Sequence, residues 1–141
     1  METLTFKIGL SGTFFNKVPA YSILLDGVKH LSGKASSESE IVEFAVDVEE
    51  EQEHLLEIRL ENKTNEDTVV DNGEIVKDTL LNIDSIVIDD IELGGLKWTM
   101  SEFVADDTNR PTIQECVNLG WNGSYRIRFT SPFYLWLLEN M

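Results

Sequence analysis

Residues 3–10, TLTFKIGL, place Leu4, Phe6, Ile8 and Leu10 on one side of the chain and Thr3, Thr5, Lys7 and Gly9 on the other. Apolar side chains at every second position define a strand with one buried face, because successive Cβ atoms point to opposite sides of a sheet. The same period recurs downstream. EIVEFAVDV (40–48) sets Val42, Phe44, Val46 and Val48 against Glu43 and Asp47, and HLLEIRLEN (54–62) sets Leu56, Ile58 and Leu60 against Glu57 and Arg59. In SYRIRFTS (124–131), Tyr125, Ile127 and Phe129 alternate with Arg126 and Arg128.

Between these runs lie turn signals. Asp26-Gly27, inside AYSILLDGVKHL (20–31), predicts a hairpin, since both central residues of a type I′ turn need positive φ. SGTFFNKVP (11–19) breaks with Gly12 and Pro19, GKASSESE (33–40) is a polar loop, and EEEQE (49–53) is an acidic turn. LLNIDSIVIDDIEL (80–93) is rich in β-branched residues and predicts a strand buried on both faces around Ile86–Ile88. LGGLKWTM (93–100) predicts a further short strand with Leu96, Trp98 and Met100 in phase. SEFVADDTNRPTIQE (101–115) reads as irregular, with Pro111 arguing against a central strand. FYLWLLEN (133–140) is apolar throughout and fits either a strand or a short helix. Seven or eight short strands without a 3.6-residue period predict an all-β, single-domain antiparallel β-sandwich of jelly-roll-like topology.

Composition narrows the functions. Twenty-six acidic residues against 11 basic ones give a formal net charge of -15. Such a chain repels phosphate backbones and anionic membranes, whose binding depends on Lys and Arg, so neither nucleic acid nor membrane is an expected partner. Acidity favours divalent cations and neutral or cationic partners instead. Cys116 is the single cysteine, which rules out an intrachain disulfide and a thiolate cluster. The N-terminus lacks the basic and long apolar regions of a secretion signal, so residence in the host-cell cytoplasm, or in a particle assembled there, is expected.

The stretch ENKTNEDTVVDNGEIVKDTLLNID (61–84) carries seven acidic residues beside Lys63 and Lys77. It offers the oxygen inventory that calcium requires, without the spacing of an EF-hand. No nucleophile elbow, zinc-protease helix or phosphate loop occurs anywhere, and a non-catalytic protein is expected. Among aromatic residues, Trp98 and Tyr125 lie in phase with apolar neighbours and belong to the core. Trp121, between Gly120 and Gly123, is the ring expected to face solvent and meet a glycan. His54 falls on the apolar phase of its strand, as a core or strand-end histidine. The terminal PFYLWLLENM either completes the core or docks on a neighbouring subunit.

The segment IRLENK…KDTLLNIDSIVIDDIELGG resembles the calcium-dependent xylan-binding carbohydrate-binding modules, over residues 20–95. The resemblance implies a β-sandwich that binds polysaccharide through calcium. Leu60, Asn62, Asp78, Asn82 and Asp84 fall at corresponding places, and the metal ligands it implies are Asn62, Asp78 and Asp84, with Asp71 or Glu61 as a substitute. Lys63 stands where that family places its second acidic ligand, and Thr79 stands where it has arginine. The tail, CVNLGWNGSYRIRFTSPFYLWLLENM, is similar to virion-associated proteins of tailed bacteriophages of cyanobacteria. Together the two imply a virion protein with a carbohydrate-binding-module-like fold, with virion subunits as partners. The alternative is a purely structural capsid decoration or tail protein without a ligand site.

Overall fold

A computed structural model describes residues 1–141. Two antiparallel sheets face each other. The first contains β12 (Asn118–Leu119), β8 (Leu80–Ile88), β1 (Glu2–Thr13) and β4 (Glu40–Val48) in that order, with β9 (Ile91–Glu92) paired to β8. The second runs β11 (Ile113–Gln114), β10 (Ser101–Ala105), β13 (Gly123–Thr130), β5 (Glu53–Leu60), β2 (Ala20–Leu25) and β3 (Val28–Lys34). The all-β sandwich is therefore as expected from the alternation.

Side chains from both sheets form one core of 25 buried residues. Leu4, Phe6, Ile8 and Leu10 of β1 are all in it, as are Leu56, Ile58 and Leu60 of β5 and Tyr125, Ile127 and Phe129 of β13. The Phe6 ring meets Phe129 of the opposite sheet at 6.1 Å between centroids, and Phe44 stacks on Phe6 at 4.8 Å. At the sandwich edge, His30 of β3 stacks on Phe44 of β4 at 5.0 Å. The β2–β3 hairpin turns at Asp26 (φ 50°) and Gly27 (φ 82°), as their sequence requires.

Three segments depart from the sequence reading. Residues 96–99 form a single helical turn, α1 (Leu96–Thr99), and not a strand. Gly94, at φ 57°, turns the chain out of β9, and Trp98 on α1 is 46% exposed where core burial was expected. The Tyr125 hydroxyl donates to the Lys97 carbonyl at 2.5 Å and holds this turn on the sheet. Second, SEFVA (101–105) is a true strand, β10, inserted between β11 and β13; Pro111 lies outside it. Gly123 permits that pairing, since a Cβ there would lie 2.5 Å from the Val104 carbonyl oxygen. Third, Val87 is only partly buried, so β8 has one fully covered face, not two.

FYLWLLEN forms α2 (Phe133–Asn140). Phe133, Trp136 and Leu137 share one helical face and enter the core, whereas Tyr134, Leu135 and Leu138 stay exposed.

The acidic stretch is not an open loop. It begins with a 3-10 turn (Asn65–Asp67) and continues as a separate ribbon of β6 (Val69–Asp71) and β7 (Glu74–Lys77), which pair only with each other. Its turn, Asn72 (φ 53°) and Gly73 (φ 79°), repeats the positive-φ pair of the β2–β3 hairpin.

Candidate functional site

Asp67 anchors the excursion. Although fully buried, its carboxylate accepts from the Thr64 backbone N–H at 2.8 Å, the Asn16 amide at 3.0 Å and the Thr64 hydroxyl at 3.2 Å. The Lys17 ammonium lies 3.3 Å away. Burial alone would raise the Asp67 carboxyl, but these donors outweigh it and hold it below its ordinary value. The stretch is thereby bound to the β1–β2 connection, and at its far end Lys77 lies over the Phe15 ring at 5.7 Å.

Two asparagines act as clamps on neighbouring backbone. Asn62 Oδ1 accepts from the Ala20 N–H at 2.8 Å, while its Nδ2 donates to the Val18 carbonyl at 3.0 Å. Asn122 treats Lys63 in the same way: Oδ1 accepts from the Lys63 N–H and Nδ2 donates to the Lys63 carbonyl, both at 2.8 Å. Each amide takes the place of a strand partner, so residues beyond the end of β5 stay in register with the body.

The Asn122 clamp points the Lys63 side chain inward. Lys63 Nζ donates to Asp78 Oδ1 at 2.5 Å and to the Gly120 carbonyl at 2.6 Å, and lies 5.9 Å from the centre of the Trp121 ring. Its side chain is 2% exposed. Asp78 Oδ1 also accepts from the Thr68 hydroxyl at 2.7 Å and the Thr79 N–H at 2.8 Å. Burial pushes the Asp78 carboxyl up, and the bonds from Lys63, Thr68 and Thr79 more than reverse this. All three bonds fall on one oxygen. Oδ2 has no protein donor, and the side chain is 25% exposed.

Above this floor is a cleft of about 310 Å³ lined by Lys63, Asp78, Trp121 and Arg110, with Val70 and Ile75 of the ribbon as its apolar wall. The volume is near the lower end of the roughly 300–1,000 Å³ typical of small-ligand sites. A second cleft of about 210 Å³ shares Arg110, Gly120 and Trp121 with it. The Arg110 guanidinium stacks over Trp121 at 4.4 Å and is half exposed. Its one ion-pair partner, Asp107, is 3.8 Å away, too far for a hydrogen bond.

Two solved structures share this architecture. One, described as vCBM60 in complex with galactobiose, superposes with a TM-score of 0.60 at 11% identity, covering 87% of this chain and 96% of the other. The second, a selenomethionine form of vCBM60 from work linking two families of calcium-dependent carbohydrate-binding modules through circular permutation, gives 0.57 at 10% identity, covering 88% and 89%. No family model and no curated protein matches the sequence. The fold thus resembles that of these carbohydrate-binding modules.

The predicted ligand set must be corrected against this geometry. Asn62, Asp71, Asp78 and Asp84 do not form a calcium cage, and no three His, Cys, Asp or Glu side chains form a group able to hold a metal ion. Asn62 spends both ends of its amide on backbone. Asp71 sits exposed beside the ribbon turn, Asp84 is exposed on β8, and Asp78 is already paired with an ammonium. Calcium takes six to eight oxygens, and of the four residues only Asp78 lines the cleft, with one carboxylate oxygen that is still free. The residues do not fit the ion. Trp121 does line the cleft and is part-buried, with Arg110 over its ring. The residues missed from sequence were Lys63 and Arg110 as cleft cations and Val70 and Ile75 as its wall. Asn72-Gly73 between two β-branched pairs was the signal for the ribbon.

Proposed function

We propose that this protein is a non-catalytic carbohydrate-binding module that holds a saccharide in the cleft between Trp121, Asp78 and the β6–β7 ribbon. The observation carrying this reading is the free Asp78 Oδ2 beside an indole ring and two aliphatic side chains in one cleft. A pyranose presents the matching surface: a ring face of C–H bonds for the apolar wall, and hydroxyls for the carboxylate oxygen. The same fold in a structure holding galactobiose supports a saccharide ligand. Arg110 covers the indole from a half-exposed position, and lifting it costs about 0.5–1 kcal/mol, the worth of an exposed cation–π contact.

The test is calorimetric titration with galactan and xylan oligosaccharides, preceded by a glycan array. Binding is expected for wild type, with at least a tenfold loss in Trp121→Ala and Asp78→Asn. An array silent for wild type, or full affinity in both variants, would refute the assignment.

A second reading, a contact with a neighbouring subunit such as those of a virion, draws on α2, where Tyr134, Leu135 and Leu138 are exposed together. Sedimentation of wild type against Leu135→Glu/Leu138→Glu tests it; a monomer in both cases removes it.

A further inference from the structure

Resting on the saccharide reading of the cleft, we infer that the Lys63 ammonium occupies the place of a divalent cation, so that sugar binding here proceeds without metal. Nζ sits 2.5 Å from a carboxylate oxygen and 2.6 Å from a backbone carbonyl, which are the ligand types and close to the separations that calcium takes. The position is therefore filled by a covalently attached positive charge. A calcium ion would have to expel it, leaving an ammonium buried without its carboxylate, and no group of three His, Cys, Asp or Glu side chains stands there to hold the new charge.

The replacement also changes how hydroxyls are held. A metal gathers a vicinal diol through two coordinate bonds. An ammonium has three N–H donors, of which Lys63 gives one to Asp78 and one to Gly120, and the third has no protein acceptor. Lys63 and Asp78 thus offer one donor and one acceptor side by side on the cleft floor. Neighbouring hydroxyls of a neutral sugar fit that couple: one donates to Asp78 Oδ2, and its neighbour accepts from Lys63 Nζ. Asn122 is the positioning residue, since its two bonds to the Lys63 backbone aim the side chain.

Calcium alone is titrated into the metal-free protein, with magnesium at equal ionic strength as the control, following heat and Tm. No saturable calcium site and no rise in Tm beyond the magnesium control are expected. A stoichiometric site whose Tm rise disappears in Asp78→Asn overturns the inference. Oligosaccharide affinity is then compared in chelator and in millimolar calcium; agreement within twofold is expected, and a tenfold loss in chelator that calcium restores overturns it. Absence of sugar binding under both conditions defeats the saccharide reading instead, while the calcium titration, which needs no sugar, still decides the role of Lys63.

Discussion

Lys63 shows how much one side chain can settle. Removing its charge in Lys63→Met leaves Asp78 Oδ1 and the Gly120 carbonyl short of a donor at the cleft floor, and a stability loss of ~2–4 kcal/mol is expected in urea unfolding. Asp67→Ala removes three hydrogen bonds and an ion pair and is expected to cost ~2–3 kcal/mol by the same measurement.

His54 supplies the opposite pH dependence. Its Nδ1 meets Asp26 Oδ2 at 2.6 Å and its Nε2 meets the Glu49 carbonyl at 2.8 Å, two acceptors that call for both ring protons. Burial pulls the imidazole down, but the bonds to Asp26 and Glu49 and the charges of Asp26 and Glu2 carry it above its ordinary 6.5. A raised value means stability fully present below pH 6.5 and lost as pH climbs through the native value. For Asp67 and Asp78 the sign reverses: their contribution is present above pH 3.8 and lost as pH falls through their lowered native values. Tm is expected to peak between these limits, and His54→Gln to flatten the alkaline decline in a Tm-against-pH series. The phase of HLLEIRLEN announced a buried histidine. Nothing in it announced Asp26 as partner, because the two are 28 positions apart and meet only once β2 lies against β5.

At the scale of elements, the β6–β7 ribbon pairs with neither main sheet. Replacing residues 69–77 by a short glycine-serine link is therefore expected to leave Tm within a few degrees of wild type while saccharide affinity falls about tenfold, because Val70 and Ile75 leave the cleft wall. Circular dichroism melts and calorimetry would check the two halves. Collapse of the fold on removal would show the ribbon to be structural. Strands with one wet face, such as β1, β5 and β13, were readable because burial imposed period two on them. The turn Leu96–Thr99 was not, since Leu96, Trp98 and Met100 happen to mimic that period while only Leu96 packs on the core. β10 was hidden because its half-buried outer residues, Glu102 and Val104, blur the alternation of Ser101 and Phe103. The cleft was hidden more deeply: an acidic count suggests cations from outside, and only the Asn122 clamp reveals that the chain brings its own.

For the molecule as a whole, the fold tolerates an 11% identity to its structural neighbour because the core asks only for apolar residues at alternate positions. The net charge of -15 is a self-repulsion spread over that frame. Raising sodium chloride from about 0.01 to 0.5 M shortens the Debye length from roughly 30 to 4 Å, and Tm is expected to rise with it. A flat or falling Tm would mean that ion pairs such as Arg59–Asp106, bonded at 2.8 Å, outweigh the repulsion.

That repulsion extends to β4, the last strand of its sheet, where Glu40, Glu43 and Asp47 accompany an exposed Ile41. Nine residues with one row of unsatisfied amides form a template on which a second molecule could anneal strand to strand. Anionic side chains along this margin keep copies apart, so Glu43→Val/Asp47→Val is expected to convert a dispersed protein into one that assembles into thioflavin-positive fibrils.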